Sequence, residues 1–269
     1  MEIRGAAKSR DGVALVTRSC GQGTPFIWGH CLLGSMAAED ELEIFDWSSA
    51  SDLARIVRYD ARGHGVSEGT DDAHHYSWQH LAEDMLDVVA AEAGEQPAVV
   101  GGASMGCATA LMAAYAAPER VKGMVLVLPP AAWGRRPAQS RLYHFVSGVV
   151  GITGSLPFRV LNLLPKPPGP AASLRGMQRT VMGNLAHMEP EVVNAIMGGA
   201  AISDLPLPEK LRTLDVPTLI LAWENDFAHP VESAEKLAEL LPEASLHVAQ
   251  EHAQSQAWPG LVREFLGGL

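Results

Sequence analysis

Gly102-Ala103-Ser104-Met105-Gly106 sets a serine between glycines where an apolar run, Pro97–Gly101, meets an Ala-, Leu- and Met-rich stretch, Ala108–Ala116. The first stretch reads as a buried strand and the second as a helix, so the pentapeptide is a strand-to-helix turn. That turn must be sharp, and glycine lets neighbouring backbone come closer than a Cβ allows. Such a turn pushes the Ser104 hydroxyl out of the fold and sets it at a helix N-terminus, where backbone N–H groups can stabilise an oxyanion. A serine hydroxyl is a poor nucleophile at neutral pH unless a base takes its proton, and imidazole has a suitable pKa. On its own the pentapeptide also fits a plain small-residue turn, so its weight depends on a base and an acid elsewhere.

Both are present in order. Thr218–Trp223 reads as another buried strand after Pro217, with Glu224-Asn225-Asp226 just beyond it. Leu246–Ala249 reads as a last strand, followed by Gln250-Glu251-His252 in a loop and a closing helix over Trp258–Leu266. Asp226 is the expected acid, holding the imidazole in the correct tautomer and stabilising its cation. Its rival Glu224 reads better as a solvated loop carboxylate. His252 is the expected base. Ten histidines are present, and His252 is selected by its loop position; the rival His247 falls inside the strand and points across the site.

The order Ser, Asp, His, with acid and base after successive strands, is similar to that of the α/β-hydrolase superfamily. Phe26-Ile27-Trp28-Gly29-His30-Cys31-Leu32-Leu33-Gly34-Ser35 resembles its His-Gly-x oxyanion loop, and Arg58-Tyr59-Asp60-Ala61-Arg62-Gly63-His64-Gly65-Val66-Ser67 resembles its Asp-x-Arg-Gly-His-Gly-x-Ser turn. The resemblance runs from Val13 to Leu266 and looks closest to Ser-nucleophile esterases and lactonases, including the 3-oxoadipate enol-lactonase group. It implies hydrolysis of a small, partly apolar ester or enol lactone through an acyl-enzyme. It also implies an oxyanion hole from the backbone N–H groups of Leu32 and Met105. Cys31 departs from the pattern, standing where glycine is usual, and cysteine resists backbone angles that glycine tolerates. Cys107 also stands at a common glycine position and reads as a small helix residue packed on the sheet. His30 and His64 read as loop braces.

These residues need a scaffold. Strands are expected near Val13–Arg18, Phe26–Trp28, Ala54–Tyr59, Ala98–Gly101, Gly123–Leu128, Leu219–Trp223 and Ser245–Ala249. Helices are expected near Glu39–Ala50, Ser77–Ala93, Ser104–Ala116, Val231–Leu241 and Trp258–Leu266. Their alternation predicts an α/β fold, a mostly parallel twisted sheet with helices on both faces. Ser77 should cap its helix, with Asp84 and Asp87 facing solvent. No internal repeat is visible. After Pro129-Pro130 the alternation stops, so residues 1–130 and 216–269 form the expected core and 131–215 an inserted helical lid over the strand ends. Lid helices are expected at Arg141–Val150, Leu174–Asn184 and Glu191–Met197, with Lys166-Pro167-Pro168-Gly169-Pro170 a stiff loop between them. Trp133, Tyr143, Phe145, Phe158 and Met177 could line a pocket or form lid core.

Composition narrows the function further. A chain of 269 residues can form one α/β domain with a cap. The net charge of −11 disfavours nucleic acid and anionic membranes as partners. Cys20, Cys31 and Cys107 are too few for a disulfide framework, and Met1–Gly5 does not resemble a signal peptide, so a cytoplasmic setting is expected. Ala98–Ala117 is uncharged and long enough to span a bilayer, yet a strand, a turn and a buried helix account for it better. His74-His75 and His80 form the one ligand cluster and read as a solvated loop, so no metal and no cofactor is expected. Serine at the turn disfavours the epoxide-hydrolase and dehalogenase chemistries that use aspartate there. C–C bond hydrolysis of a diketone, perhydrolysis and non-catalytic binding of a small molecule stay open, as does assembly into a homo-oligomer.

Overall fold

Short runs of small and β-branched apolar residues alternate here with amphipathic stretches, and that alternation builds a sheet with helices on both sides. A computed structural model of the protein describes residues 2–164, 174–224, 226 and 228–269, with the backbone alone at Leu174, Arg175, Met177, Gln178 and His252. The strands are β1 (Ile3–Lys8), β2 (Ala14–Cys20), β3 (Thr24–Gly29), β4 (Ala54–Tyr59), β5 (Ala98–Ala103), β6 (Val121–Val127), β7 (Thr218–Trp223) and β8 (Ala244–Ala249). The helices are α1 (Met36–Leu42), α2 (Trp78–Ala93), α3 (Met105–Ala116), α4 (Arg136–Thr153), α5 (Leu156–Leu163) and α6 (Leu174–Asn184). They continue with α7 (Pro190–Ile202), α8 (Pro208–Leu211), α9 (Val231–Leu240), α10 (His252–Ser255) and α11 (Trp258–Gly268).

The sheet order is β1-β2-β4-β3-β5-β6-β7-β8. β1 and β4 run antiparallel to β2, and every other neighbouring pair is parallel. β5 and β7 are buried at every residue, as strands covered on both faces must be. One face packs α2, α3 and α9 through Met85, Leu111 and Leu237; the other packs α1 and α11 through Leu42, Trp258 and Val262. Burying a Leu or Met side chain contributes roughly 1.5–3 kcal/mol, and Met85, Leu111 and Met124 are wholly enclosed.

Between β6 and β7 the described residues form helices and turns without a strand. α4, α5, α7 and α8 each start with a proline in the first turn, where its missing N–H costs nothing. Arg136 fastens this segment. Its guanidinium is buried, donates to the carbonyls of Ala200 and Ser203 at the end of α7, and lies 4.0 Å from the Trp78 ring centroid. A cation at a helix C-terminus is favoured by the helix dipole.

Several expectations need correction. The helix expected over Glu39–Ala50 ends at Leu42, because Glu43 and Phe45 take left-handed backbone and Ser48–Ala50 forms only a 3-10 turn. β1 was not anticipated; most of it is exposed and its apolar residues do not alternate. Asp84 does not face solvent: it is buried against Arg62, with Nε–Oδ2 and Nη2–Oδ1 both at 2.6 Å. Asp87 bonds Arg10 at the surface. Ser77 caps α2 as expected, accepting from the His80 N–H. The expected helices Arg141–Val150 and Glu191–Met197 lie inside the longer α4 and α7, and α5 is additional. The Lys166–Pro170 loop lies outside the described residues. Ala98–Ala117 divides into β5, a turn and α3, and among the described residues no single helix is long and apolar enough to cross a membrane.

Candidate active site

β5 delivers Ser104 to the carboxyl end of the sheet, and α3 starts at the next residue. Ser104 has φ 53° and ψ −105°, a conformation L-residues rarely adopt and one that costs roughly 1–3 kcal/mol. Surrounding backbone holds it there. Its N–H donates to the Val127 carbonyl at 3.0 Å, and the Gly106 N–H donates to the His30 carbonyl at 3.2 Å. A Cβ on Gly106 would lie 2.1 Å from the Gly29 oxygen, and one on Gly102 would lie 2.4 Å from the Gly106 carbonyl carbon. Only glycine permits β3, β5 and α3 to meet so closely.

Ser104 and Asp226 come together through a residue the sequence reading did not select. His229 Nε2 lies 2.8 Å from Ser104 Oγ, and His229 Nδ1 lies 2.7 Å from Asp226 Oδ2. A carboxylate only accepts, so Nδ1 carries the proton and Nε2 is free to accept from the serine hydroxyl. Asp226 Oδ1 accepts from the N–H groups of Ala228 at 2.9 Å and His229 at 3.3 Å. Burial pushes the Asp226 carboxyl up, but the His229 hydrogen bond and charge together with these amides outweigh it and hold the group below its ordinary range. The available signal was local: Asp226-Phe227-Ala228-His229 puts a histidine three residues after the acid, in the same loop beyond β7.

The other histidine and acid sit as follows. His252 opens α10, separated from the end of β8 at Ala249 by Gln250-Glu251, and its side chain lies outside the described residues. His247 is within β8 and exposed, and Glu224 is exposed with its N–H on the Ala249 carbonyl. The amides of Leu32 and Met105 donate to no partner among the described residues. Cys31 does not take the left-handed conformation in the loop after β3; Leu33 does, at φ 58°, with its carbonyl held by Asn184 of α6 at 2.7 Å. His30 Nδ1 donates to the Cys31 carbonyl at 2.8 Å while Nε2 accepts the Ala61 N–H at 3.0 Å. His64 Nδ1 donates to the Arg62 carbonyl at 2.8 Å. Both rings therefore brace loops. Burial pushes His30 down to about 4 and His64 down to about 3, so both are neutral. Burial also pushes the Cys31 thiol up to about 12 and raises Cys107, which packs inside α3.

Ser104, Asp226 and His229 open into a cavity of about 640 Å³. Its walls are Leu32, Phe45, Leu128, Leu142, Tyr143 and Val181, with Arg135 and Gln139 adding polar groups. Of the aromatic residues considered for it, Tyr143 lines the cavity, Phe158 is buried and Phe145 is exposed. Trp133 is half-buried with Nε1 on the Pro206 carbonyl, and the Met177 side chain lies outside the described residues.

A separate grouping lies beside α2. The His75 and His80 rings are 4.9 Å apart, and with Asp11 their ligand atoms lie within 4.8 Å of one another. Both Asp11 oxygens already accept from the Arg62 guanidinium, at 2.9 and 3.0 Å.

Residues 14–260 match a model of the alpha/beta hydrolase family. The chain is similar to a putative carbamate hydrolase, RutD, from Caulobacter sp. (strain K31), with 29% identity over 207 residues and 72% of each chain covered. In three dimensions it is similar to esterase RhEst1 from Rhodococcus sp. ECU1013, at 24% identity and TM-score 0.75, covering 99% of each chain. It is also similar to the enol-lactonase from Burkholderia xenovorans LB400, at 20% identity and TM-score 0.69, covering 97% of this chain and 99% of that one. At these identities the structural likeness is one of fold.

Proposed function

This chain belongs to the alpha/beta hydrolase family, and from that premise we propose that it cleaves a small, partly apolar carboxylic ester or lactone through an acyl-enzyme. The observation that carries the reading is the hydrogen-bonded series Ser104–His229–Asp226 at the base of an apolar cavity. Ser104 Oγ attacks the carbonyl carbon as His229 Nε2 takes its proton. The oxyanion is met by the Leu32 N–H in the loop after β3 and the Met105 N–H at the start of α3. His229 then protonates the departing alkoxide. Water next attacks the acyl group with His229 again as base, releasing the acid and Ser104. Asp226 holds the tautomer and stabilises the imidazolium throughout. Residues 131–215 act as a lid whose apolar inner side selects for the apolar part of the substrate.

A second reading keeps the chemistry and makes His252 the base. Its support is topological: β7 and β8 pair through Trp223 and Ala249, so the loops bearing Asp226 and His252 leave the same end of the sheet. Activity on a diketone without activity on esters would replace the ester or lactone reading with C–C bond hydrolysis.

Intact-protein mass after fluorophosphonate treatment tests the proposal. The expected result is one adduct on the wild type and none on Ser104→Ala. No adduct on a folded wild type, together with saturable small-molecule binding, would replace the enzyme with a binding protein.

A further inference from the structure

α4 and α5 leave large apolar side chains in water. On α4 these are Leu142, Phe145 and Ile152; on α5 they are Leu156, Val160 and Leu163. Their spacing follows the helical repeat, so each set forms one stripe. The exposure is high, at 69% for Phe145, 88% for Ile152 and 84% for Leu163. The buried residues of these helices, Arg136 and Val150 on α4 and Phe158 on α5, lie on the opposite sides. A soluble protein rarely leaves such a run uncovered without a partner.

Charge indicates the partner. Residues 131–188 contain seven Lys and Arg and no Asp or Glu, in a chain whose formal net charge is −11. Of these, Arg136 is buried and Arg135 pairs with Glu232, so the charge of the α4–α5 face rests on Arg141 and Arg159. Arg141 and Arg159 are exposed beside the two stripes, where long cationic side chains can reach past buried apolar groups to a polar layer. Apolar side chains flanked by basic ones are the pattern of a helix that lies in a lipid interface. The acidic body does not cancel this attraction, because charges are screened over about 8 Å at physiological ionic strength. A second copy docking cap to cap would bring two basic segments together. α4 and α5 are bent by 95° relative to each other, which suits lying on a bilayer and not crossing it.

We propose that the α4–α5 face docks on an anionic lipid surface. Leu142 belongs both to the stripe and to the cavity wall, so the docked face adjoins the way into the site. The argument is independent of the hydrolase reading, and Ser104→Ala should dock as the wild type does.

Co-sedimentation of the full chain with vesicles of equal phosphatidylcholine and phosphatidylglycerol, against phosphatidylcholine alone, tests it. The expected result is a preference of about tenfold or more for the anionic vesicles, weakening as salt is raised. Phe145→Ser with Leu163→Ser should reduce that partitioning about tenfold or more. Arg141→Glu should reduce it at least about fivefold. All three positions are exposed, and circular dichroism melts check that the variants fold. Equal partitioning to both vesicle types overturns the proposal, as does an unaffected double variant. A wild-type dimer that the double variant dissociates, without vesicle binding, would assign the face to a second copy.

Discussion

Replacing His229 by alanine tests the centre of the proposed mechanism. The imidazole bridges two groups, 2.8 Å from Ser104 Oγ and 2.7 Å from Asp226 Oδ2, so one truncation removes both the base and the partner of the acid. Loss of a triad histidine lowers kcat about 10⁴- to 10⁶-fold and leaves the oxyanion-hole contribution. At about 1.4 kcal/mol per decade, that is about 5–8 kcal/mol of transition-state stabilisation. The fold should survive, because Asp226 keeps the Ala228 N–H at 2.9 Å and the backbone N–H of residue 229. The lost charge-assisted bond costs about 1.5–3 kcal/mol, a change of several degrees in Tm for a chain of this size. Initial rates on p-nitrophenyl butyrate, with parallel melts, separate the two effects. His252→Ala should stay within about tenfold of wild type. The opposite pattern, a crippled His252→Ala beside a nearly intact His229→Ala, would refute His229 as the base and install His252.

Buried titratable groups make stability depend on pH and on their partners. His30 and His64 are held near 4 and 3, against an ordinary value of 6.5. The unfolded chain therefore binds their protons first, and stability present above that ordinary value is lost as pH falls toward the folded values, by up to about 1.4 kcal/mol per pH unit for each ring. Glu39 has the opposite sign. Burial pushes it up to about 7 from 4.5, so the folded state takes the proton first and gains stability as pH falls across that interval. Glu39→Gln should thus steepen the acid decline of Tm between those values; an unchanged or shallower decline counts against the assignment. Asp84→Asn should cost about 3–5 kcal/mol by leaving the buried Arg62 with one carboxylate partner, lowering Tm by roughly 5–10 °C with activity retained at room temperature. A shift under about 2 °C would mean the pair is not the buried anchor its geometry implies.

The architecture was legible wherever a strand's own residues declare its burial. β4 falls on its expected bounds, and β5, β6 and β7 fall within two residues of theirs; β5 and β7 are apolar runs buried at every residue, as parallel strands covered on both faces must be. The Ser104 turn was legible because its glycines answer a local steric demand. β1 was not, since an exposed edge strand needs no apolar alternation. Asp84 was misassigned because helical spacing says nothing of the arginine that meets it from another loop. His229 was missed for a related reason. Strand order points to a residue after β8, whereas His229 lies in the same loop as Asp226 and meets Ser104 only after the sheet has formed.

The hydrogen bonds of this site differ greatly in the length of chain they close. Asp226 and His229 are three residues apart, while His229 and Ser104 are separated by 125. The Asp226–His229 half can organise whenever the loop after β7 forms, at little cost in chain entropy. Ser104 joins it only once β5, β6 and β7 are in register, because long-range contacts come with the closure of the intervening chain. Under the proposed mechanism, recovery of activity during refolding is therefore a late event, reporting completion of the central sheet and not the appearance of secondary structure.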